Sequence, residues 1–352
     1  MRVERSRARA SGYAAGLDVV YASLGGLDGA KRGLRVVLIY GEHGRELVPV
    51  DAGLRFLDAL ADGEDAVVAL ARGIEGGDER RLRETLRATT FAIAPMENER
   101  GRAIVEGGNA CERKNGRGVD PNRNWGVDWG VKAPDYDPKE EFPGTEPFSE
   151  PESRMLRDLV KSFRPHAVVN WHSGMSAIFM PYDHVAREPT GPGAEAMMRF
   201  AHVIDAEHCD KKCTLGSGGK GVGYLAHGTA TDYIYEKMKV PVVYTWEIYG
   251  DVDAPYEECY RAFNPLTKEA YERVVNDWVG APVTLVSMLE THPDVSLDSL
   301  NLADEFDAPG ALFKFSTALL FAFVGIVVTL ALRRRRARRA SSSSRLAPLS
   351  AV

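Results

Sequence analysis

The chain has 352 residues, 44% hydrophobic and 27% charged, which is ordinary for a folded protein and long enough for one large domain. Its net charge of −6 hides an asymmetry: residues 333–352 carry seven arginines and no acid, leaving −13 on residues 1–332. An acidic body of this kind argues against nucleic acid as the main partner.

Residues 1–33 are short and polar, with a modest helical stretch expected near LDVVYASL (Leu17–Leu24). The opening MRVERSRARASGYAAG has no apolar core of a signal peptide, and its Arg, Ser and Ala content faintly resembles a transit peptide. This segment is therefore read as an N-terminal piece whose start is incomplete. The apolar run LRVVLIY (Leu34–Tyr40) predicts a buried strand, followed by the loop HGRE. Leu47, Val50, Leu54, Leu57 and Leu60 then recur at helical spacing. A second strand, ATTFAIAP (Ala88–Pro95), runs into MENERGR.

The stretch from Gly107 to Pro151 is rich in Gly, Asn, Asp and Pro; so long a loop inside a domain is usually functional. FSEPESRMLRDLVKSF predicts a helix, with Ser149 as N-cap, Pro151 in the first turn and Glu152 at the third position. The strand HAVVNWHSG follows, then a helix over Gly193–His208. GSGGKGVG (Gly216–Gly223) lacks the Ser or Thr that a phosphate-binding loop needs after its Lys, and is read as a mobile loop. A helix near Thr231–Met238, the strand VPVVYTWEIYG (Val240–Gly250) and a helix over Thr267–Leu289 complete the body. No internal repeat is present. Strands alternating with helices indicate an α/β domain with its site beyond the carboxyl ends of the strands.

Residues 291–311 read as a linker. FSTALLFAFVGIVVTLAL (Phe315–Leu332) has eighteen residues without a charge and precedes RRRRARR. Extended to residue 312, it is expected to form a transmembrane helix over 312–332, with 333–352 as an Arg/Ser-rich cytoplasmic tail. That orientation makes the chain a single-pass membrane protein with a lumenal or extracellular body; a buried core helix and a tail anchor are the alternatives. Cys111, Cys209, Cys213 and Cys259 form no CxxC pair and no zinc-finger spacing. Disulfides and buried thiols both stay open.

Three strand ends carry polar cargo that a packed core does not tolerate unpaired. The first supplies His43, Arg45 and Glu46, the second His172, and the third Glu247 among Val243, Trp246 and Ile248. Singly, each is a common core or loop residue. Together they offer two imidazoles and a carboxylate, the set that leaves zinc one open position.

HGRE, ENERGR, ERKNGRGVDPNRNWG, NWHSG, GYLAHGTATDYIY and YTWEIYG, in this order, resemble the zinc carboxypeptidases of the carboxypeptidase A type, and most closely their plant and algal branch. The resemblance covers roughly residues 34 to 280, and a catalytic domain over 34–290 is expected. It implies a three-layer α/β/α fold with a mixed, mostly parallel twisted sheet, one Zn2+ ion, and peptide or protein C-termini as substrate. By the same resemblance His43, Glu46 and His172 are the metal ligands and Glu247 is the general base. Arg113 polarises the scissile carbonyl, and Asn122 with Arg123 grips the terminal carboxylate. Arg45 is a secondary arginine of the cleft, and Tyr224 folds over the substrate.

The chemistry requires these residue types in any case. Water needs activation at neutral pH, a base must take its proton, and a planar guanidinium matches a free carboxylate with two parallel bonds. The family's selectivity position, just before Asp232, is Thr231. Thr is neither an acid nor a bulky aliphatic, so the substrate's last residue stays undecided, with a lean toward neutral side chains. Only about 33 residues precede the first expected strand, too few for the family's opening strands together with a folded pro-segment. Competing readings are an amidohydrolase of the same fold, acting on acylated amino acids or glutamyl chains, and a catalytically silent peptide-binding module.

Overall fold

A computed structural model describes residues 1–27, 33–73, 78–131 and 138–297. Its eight strands are β1 (Arg2–Ala10), β2 (Tyr13–Ala22), β3 (Leu34–Tyr40), β4 (Thr89–Ala94), β5 (Ala167–His172), β6 (Met175–Met180), β7 (Thr214–Ser217) and β8 (Val242–Tyr249). They form one sheet in the order β1-β2-β4-β3-β5-β8-β6-β7. The central four, β4, β3, β5 and β8, run parallel, while β2 and β6 join them antiparallel. Near-continuous Val, Ile and Leu runs suit these central strands because both of their faces are covered.

Alternation along β3 shows the layering. Val36, Leu38 and Tyr40 face one core, with Phe56, Leu82, Phe200 and Ile204 from the covering helices. Val37 and Ile39 face the other, with Leu156 and Val160 of helix Pro151–Phe163 and Ile234 of helix Ala230–Glu236. Successive side chains of a strand point to opposite faces, so a run that is apolar throughout needs helices on both sides. The result is a three-layer α/β/α sandwich around a mixed sheet.

Several local expectations are corrected. Leu17–Leu24 is not helical: Tyr13–Ala22 is a strand, with Leu17 and Val19 buried at alternate positions. Pairing with β1 and β4 outweighs its weak helical pattern and supplies the sheet edge that the short N-terminal segment had put in doubt. The helix expected over Thr267–Leu289 is two, Lys268–Trp278 and Ala281–Leu289, parted at Gly280 with Pro282 in the second one's first turn. Glu150, not Ser149, is the N-cap of helix Pro151–Phe163; the Ser149 hydroxyl bonds its carboxylate instead. The Gly216–Gly223 stretch is not an irregular loop but closes β7 and forms the short helix Gly218–Gly221.

The membrane reading is also corrected. No helix among the described residues is long and apolar enough to cross a membrane. The segment 312–332, on which that reading rested, lies outside the described residues, as do the rest of 298–352. The transmembrane helix, the membrane partner and the single-pass localisation inferred from them are withdrawn.

The cysteines are resolved as two disulfides, Cys111–Cys259 and Cys209–Cys213. The first spans a sequence separation of 148 residues. It anchors the start of the loop that carries Arg113.

Candidate active site

β3 ends at Tyr40, and the chain turns at once into His43-Gly44-Arg45-Glu46 before helix Val48–Asp62. Asn264 holds this turn. Its side chain accepts from the Leu47 and Val48 amides at 2.9 and 3.1 Å and donates to the Arg45 carbonyl at 2.9 Å. Helix N-termini leave such amides without an internal partner, so Asn264 caps the helix from a distance. Gly44 is required by close approach, because a Cβ there would lie 2.6 Å from the Gly101 backbone. That closeness lets the Gly44 amide donate to the Arg113 carbonyl at 3.2 Å and joins the two loops.

His172 closes β5 and stands opposite Glu247 in the β5–β8 register. The side chains from the two parallel strands and the turn then converge. His43 Nδ1 lies 2.7 Å from Glu46 Oε1, His172 Nδ1 lies 2.9 Å from Glu46 Oε2, and the two Nδ1 atoms are 3.1 Å apart. All three residues are buried. The opposite ring nitrogens face other carboxylates: His43 Nε2 is 3.2 Å from Asp120 Oδ1, and His172 Nε2 is 3.1 Å from Glu42 Oε2. The second is an ion-pair contact without hydrogen-bond alignment.

With the ring protons on Nε2, toward those carboxylates, both Nδ1 atoms would present lone pairs to each other and to an anion. A cation relieves that crowding of electron pairs. Two imidazoles and a carboxylate are the donor set of a catalytic zinc, so the residues fit the metal. Glu42, His43 and His172 also meet the distance condition for holding an ion, their ligand atoms lying within 4.8 Å of one another. Glu46 lies closer to the shared centre, its two oxygens touching both Nδ1 atoms. Glu42 instead faces the far nitrogen of His172 and accepts from Asn170 at 2.6 Å. Such outer carboxylates orient ligand imidazoles.

Asp120 is the hub of the next layer. It faces His43, accepts from Arg113 Nε at 2.8 Å, and accepts from the Asn122 amide at 2.9 Å. Burial acts to raise the Asp120 pKa, but Arg113 and His43 outweigh it and hold the carboxyl well below the usual range. One carboxylate thus places a metal-site imidazole, the guanidinium of Arg113, and the turn Pro121–Arg123. Arg113 Nη1 reaches to 3.3 Å from His43 Nδ1.

Glu247 projects beside these groups with its Oε2 shielded and without a hydrogen-bond partner. Burial raises its carboxyl to about 7, against the opposing field of His172. Arg123 donates to the Asn122 carbonyl and to Glu141 Oε1, both at 2.8 Å, and its Nη2 lies 3.4 Å from the Tyr224 hydroxyl. Asn122 Oδ1 accepts from the Ala230 amide at 2.9 Å. Arg45 pairs with Glu140 at 2.8 Å and stacks over Phe263 at 4.1 Å. Tyr224 is 44% exposed, whereas Thr231 is buried and shares a 2.7 Å hydrogen bond with Thr245.

The structure therefore brings His43, Glu46, His172, Arg113 and Glu247 to one centre, with Arg123, Asn122 and Tyr224 joined to it through Asp120 and Arg113. The sequence profile of the family described as zinc carboxypeptidase matches residues 16–273. The chain belongs to the zinc carboxypeptidase family. It is 27% identical over 232 residues to zinc carboxypeptidase A 1 of Anopheles gambiae, covering 62% of this chain and 50% of that protein. It is 24% identical over 261 residues to carboxypeptidase A2 of Mus musculus, covering 69% of this chain and 59% of that protein. The chain thus spans about half the length of the curated relatives it matches.

Among solved structures, carboxypeptidase A from Helicoverpa armigera superposes with a TM-score of 0.60 at 21% identity, over 82% of this chain and 69% of that one. Bovine thrombin-activatable fibrinolysis inhibitor, solved with tick carboxypeptidase inhibitor, gives 0.63 at 21% identity, over 82% and 90%. At such identities these two structures establish the shared fold.

Sequence reasoning missed Asp120, Glu42, Glu140, Glu141 and Thr245. Asp120 and Glu42 had a usable signal: each metal-site imidazole needs a second partner, Glu42 directly precedes HGRE, and Asp120 lies within ERKNGRGVDPNRNWG. The contacts of Glu140 and Glu141 with the arginines arise only when the long loop folds back, which no spacing announces.

Proposed function

We propose that this chain is a zinc-dependent metallocarboxypeptidase that hydrolyses the C-terminal peptide bond of peptides or proteins. The observation that carries the reading is the convergence of two imidazole nitrogens and Glu46 beside the unpartnered Glu247 carboxylate and the Arg113 and Arg123 guanidiniums. His43, Glu46 and His172 would hold the metal. When bound there, zinc lowers the pKa of water and polarises a carbonyl.

The chain's own residues supply the rest of this mechanism. Glu247 takes a proton from the attacking water at its free Oε2 and later delivers it to the departing amine. Arg113, held by Asp120, points its guanidinium at the developing oxyanion; one such donor is typically worth about 3 kcal/mol. Arg123, with Asn122, binds the terminal carboxylate, and Arg45 extends the positive wall. Tyr224, exposed and near Arg123, closes over the bound end. Thr231 lines the pocket for the last side chain.

The deciding experiment offers one peptide with a free and with an amidated C-terminus, each with and without chelator. The free acid should be trimmed by one residue in a chelator-sensitive manner. The amide should react about 100-fold more slowly or not at all, because it offers no charged carboxylate to take the Arg123 guanidinium from Glu141. Equal cleavage of both would overturn the exopeptidase reading. Cleavage of acylated amino acids alone would favour the amidohydrolase, and metal binding without any hydrolysis the silent module.

Glu141 engages the same Arg123 fork that the substrate needs, at 2.8 Å. A substrate carboxylate must displace it. Glu141→Gln is therefore expected to lower KM about 3–10-fold with little change in kcat, since removing ground-state competition acts on binding. Initial rates over a peptide concentration series check this, and an unchanged or higher KM would refute it.

The domain limits are proposals as well. The catalytic domain extends past residue 290, since His292 is buried and faces the Gly193 carbonyl at 3.0 Å, while the linker up to 311 and the Arg/Ser-rich tail over 333–352 are proposed from the sequence alone. Membership of the plant and algal branch rests on the motif blocks quoted above, while the matching relatives named here come from an insect and a mammal. An alignment grouping those blocks with insect sequences would end that assignment.

A further inference from the structure

Helix Pro192–His208 ends in a turn that leads the chain into β7, and the second disulfide sits across that turn. Asp205, Cys209 and Cys213 gather there. An Asp205 carboxylate oxygen and the two sulfurs all lie within 4.8 Å of one another. Asp205 is buried, while Cys209 and Cys213 are half-buried. Asp205 lies in the last turn of the helix and Cys209 at its C-cap, a spacing that puts both on one face. Asp210 and Lys211 then take left-handed backbone, with φ of 52° and 60°, and turn the chain back.

Backbone hydrogen bonds fix this geometry without help from the sulfur–sulfur bond. The Cys209 and Lys211 amides donate to the Asp205 carbonyl at 3.0 and 3.1 Å. The Lys212 amide donates to the Cys209 carbonyl at 2.9 Å, and the Cys213 amide donates to Asp205 Oδ1 at 2.9 Å. Opening the disulfide therefore leaves both thiols beside the carboxylate. The bond closes a separation of 4 residues, against 148 for Cys111–Cys259. A disulfide stabilises more the longer the loop it closes, so the short one contributes less to the fold. Both of its cysteines are half-buried, whereas Cys259 is buried, which favours its reduction first.

The donor set suits a soft divalent cation. Three residues separate the two thiols, within the two to four usual between paired thiolate ligands of zinc. The second pair that a zinc finger requires is absent from the sequence, and the helix offers a carboxylate instead. Tetrahedral zinc, with Zn–S of about 2.3 Å and Zn–O of about 2.1 Å, sets such ligand atoms about 3.6–3.8 Å apart. The two Cα atoms are 5.8 Å apart, which allows the freed sulfurs to part to that spacing by side-chain rotation. A helix C-terminus carries partial negative charge and favours a cation. Lys212 is turned to Asp210, at 3.2 Å.

We propose that Asp205, Cys209 and Cys213 form a redox-gated zinc site, sharing no residue with the centre around His43 and His172. A dithiol reductant transfers two electrons and two protons to the Cys209–Cys213 bond, which breaks to two thiols while the dithiol closes to its own disulfide. Zn2+ then displaces both thiol protons to solvent and binds the two thiolates and the Asp205 carboxylate, with water in the fourth position. The same turn is thus tied by a disulfide in oxidising surroundings and by zinc in reducing ones.

The test uses the full chain, as purified and after treatment with a resin-bound dithiol that is then removed. Co2+ is the first probe, because thiolate ligands give it a near-ultraviolet charge-transfer band that imidazole and carboxylate ligands do not. The reduced chain should develop this band and bind one more equivalent of Zn2+ than the oxidised chain. The double variant Cys209→Ser, Cys213→Ser should lose both gains. A band that persists there would assign the thiolates to Cys111 and Cys259 and overturn the proposal, as would equal zinc binding by reduced and oxidised wild type. Asp205→Asn keeps an acceptor for the Cys213 amide and removes only the charge. It should weaken zinc binding to the reduced chain at least as much as the about 10–100-fold typical of a lost outer-shell partner. Unchanged affinity would remove Asp205 and defeat the three-ligand site. Neither readout depends on turnover, so failure of the carboxypeptidase reading and failure of this proposal are separately visible.

Discussion

Glu247→Gln is expected to lower kcat by about 10³-fold, the middle of the range for loss of a general base, while metal content and peptide affinity stay near wild type. The amide keeps the shape of the acid and cannot accept the proton that must leave the attacking water. The Glu247 carboxyl lies at the end of a buried strand, and burial raises it to about 7 against the field of His172. Its active form is the anion, so in the wild type kcat/KM should fall as pH drops through that pKa. A bound dication favours the anion and moves this limb to lower pH. The variant should lack the limb. Single-turnover kinetics from pH 5 to 8, with elemental analysis of the same samples, make the measurement. Residual turnover above about a tenth of wild type would remove Glu247 from the role of base.

The second large effect concerns the metal. His172→Ala is expected to reduce bound zinc from one equivalent to near none and to bring peptide hydrolysis to background. On the proposed assignment the imidazole supplies one of three ligands, and its loss leaves His43 and Glu46 alone, too few for a tight site. Glu42→Gln provides the informative contrast. Glu42 faces the outer nitrogen of His172, and an orienting partner of this kind typically changes metal affinity about 10–100-fold when lost. Metal titration followed by fluorescence or calorimetry separates the two, since Glu42→Gln should bind zinc more weakly yet regain activity at excess zinc. Equal zinc content in wild type and His172→Ala would end the ligand assignment. If Glu42→Gln instead behaved like His172→Ala, Glu42 rather than Glu46 would be the third ligand.

The apolar runs and the acids and imidazoles at their ends were legible from the residues. LRVVLIY, TTFAIA and VVYTWEIY are buried strands because nothing else accommodates so many consecutive β-branched and aromatic residues. HGRE, NWHSG and YTWEIYG were legible because polar residues just past such runs must be paired or functional. Legibility failed where the outcome depended on remote neighbours. Leu17–Leu24 looked weakly helical, and only pairing with β1 and β4 makes its first part a strand. Asn264 shows nothing in its own surroundings that announces a cap for a helix more than two hundred residues earlier.

Residue types and their order were sufficient for the α/β class of fold and for proposing a zinc donor set and a base, because these follow from local hydrophobic pattern and from the chemistry of individual side chains. Assembly alone decided which carboxylate faces which ring nitrogen, that Asp120 would couple His43 to Arg113, and that Glu141 would stand on Arg123. Those relations are distances between segments far apart in the chain. They are set by sheet register and by loops folding over strand ends, quantities that no stretch of amino acids encodes in isolation.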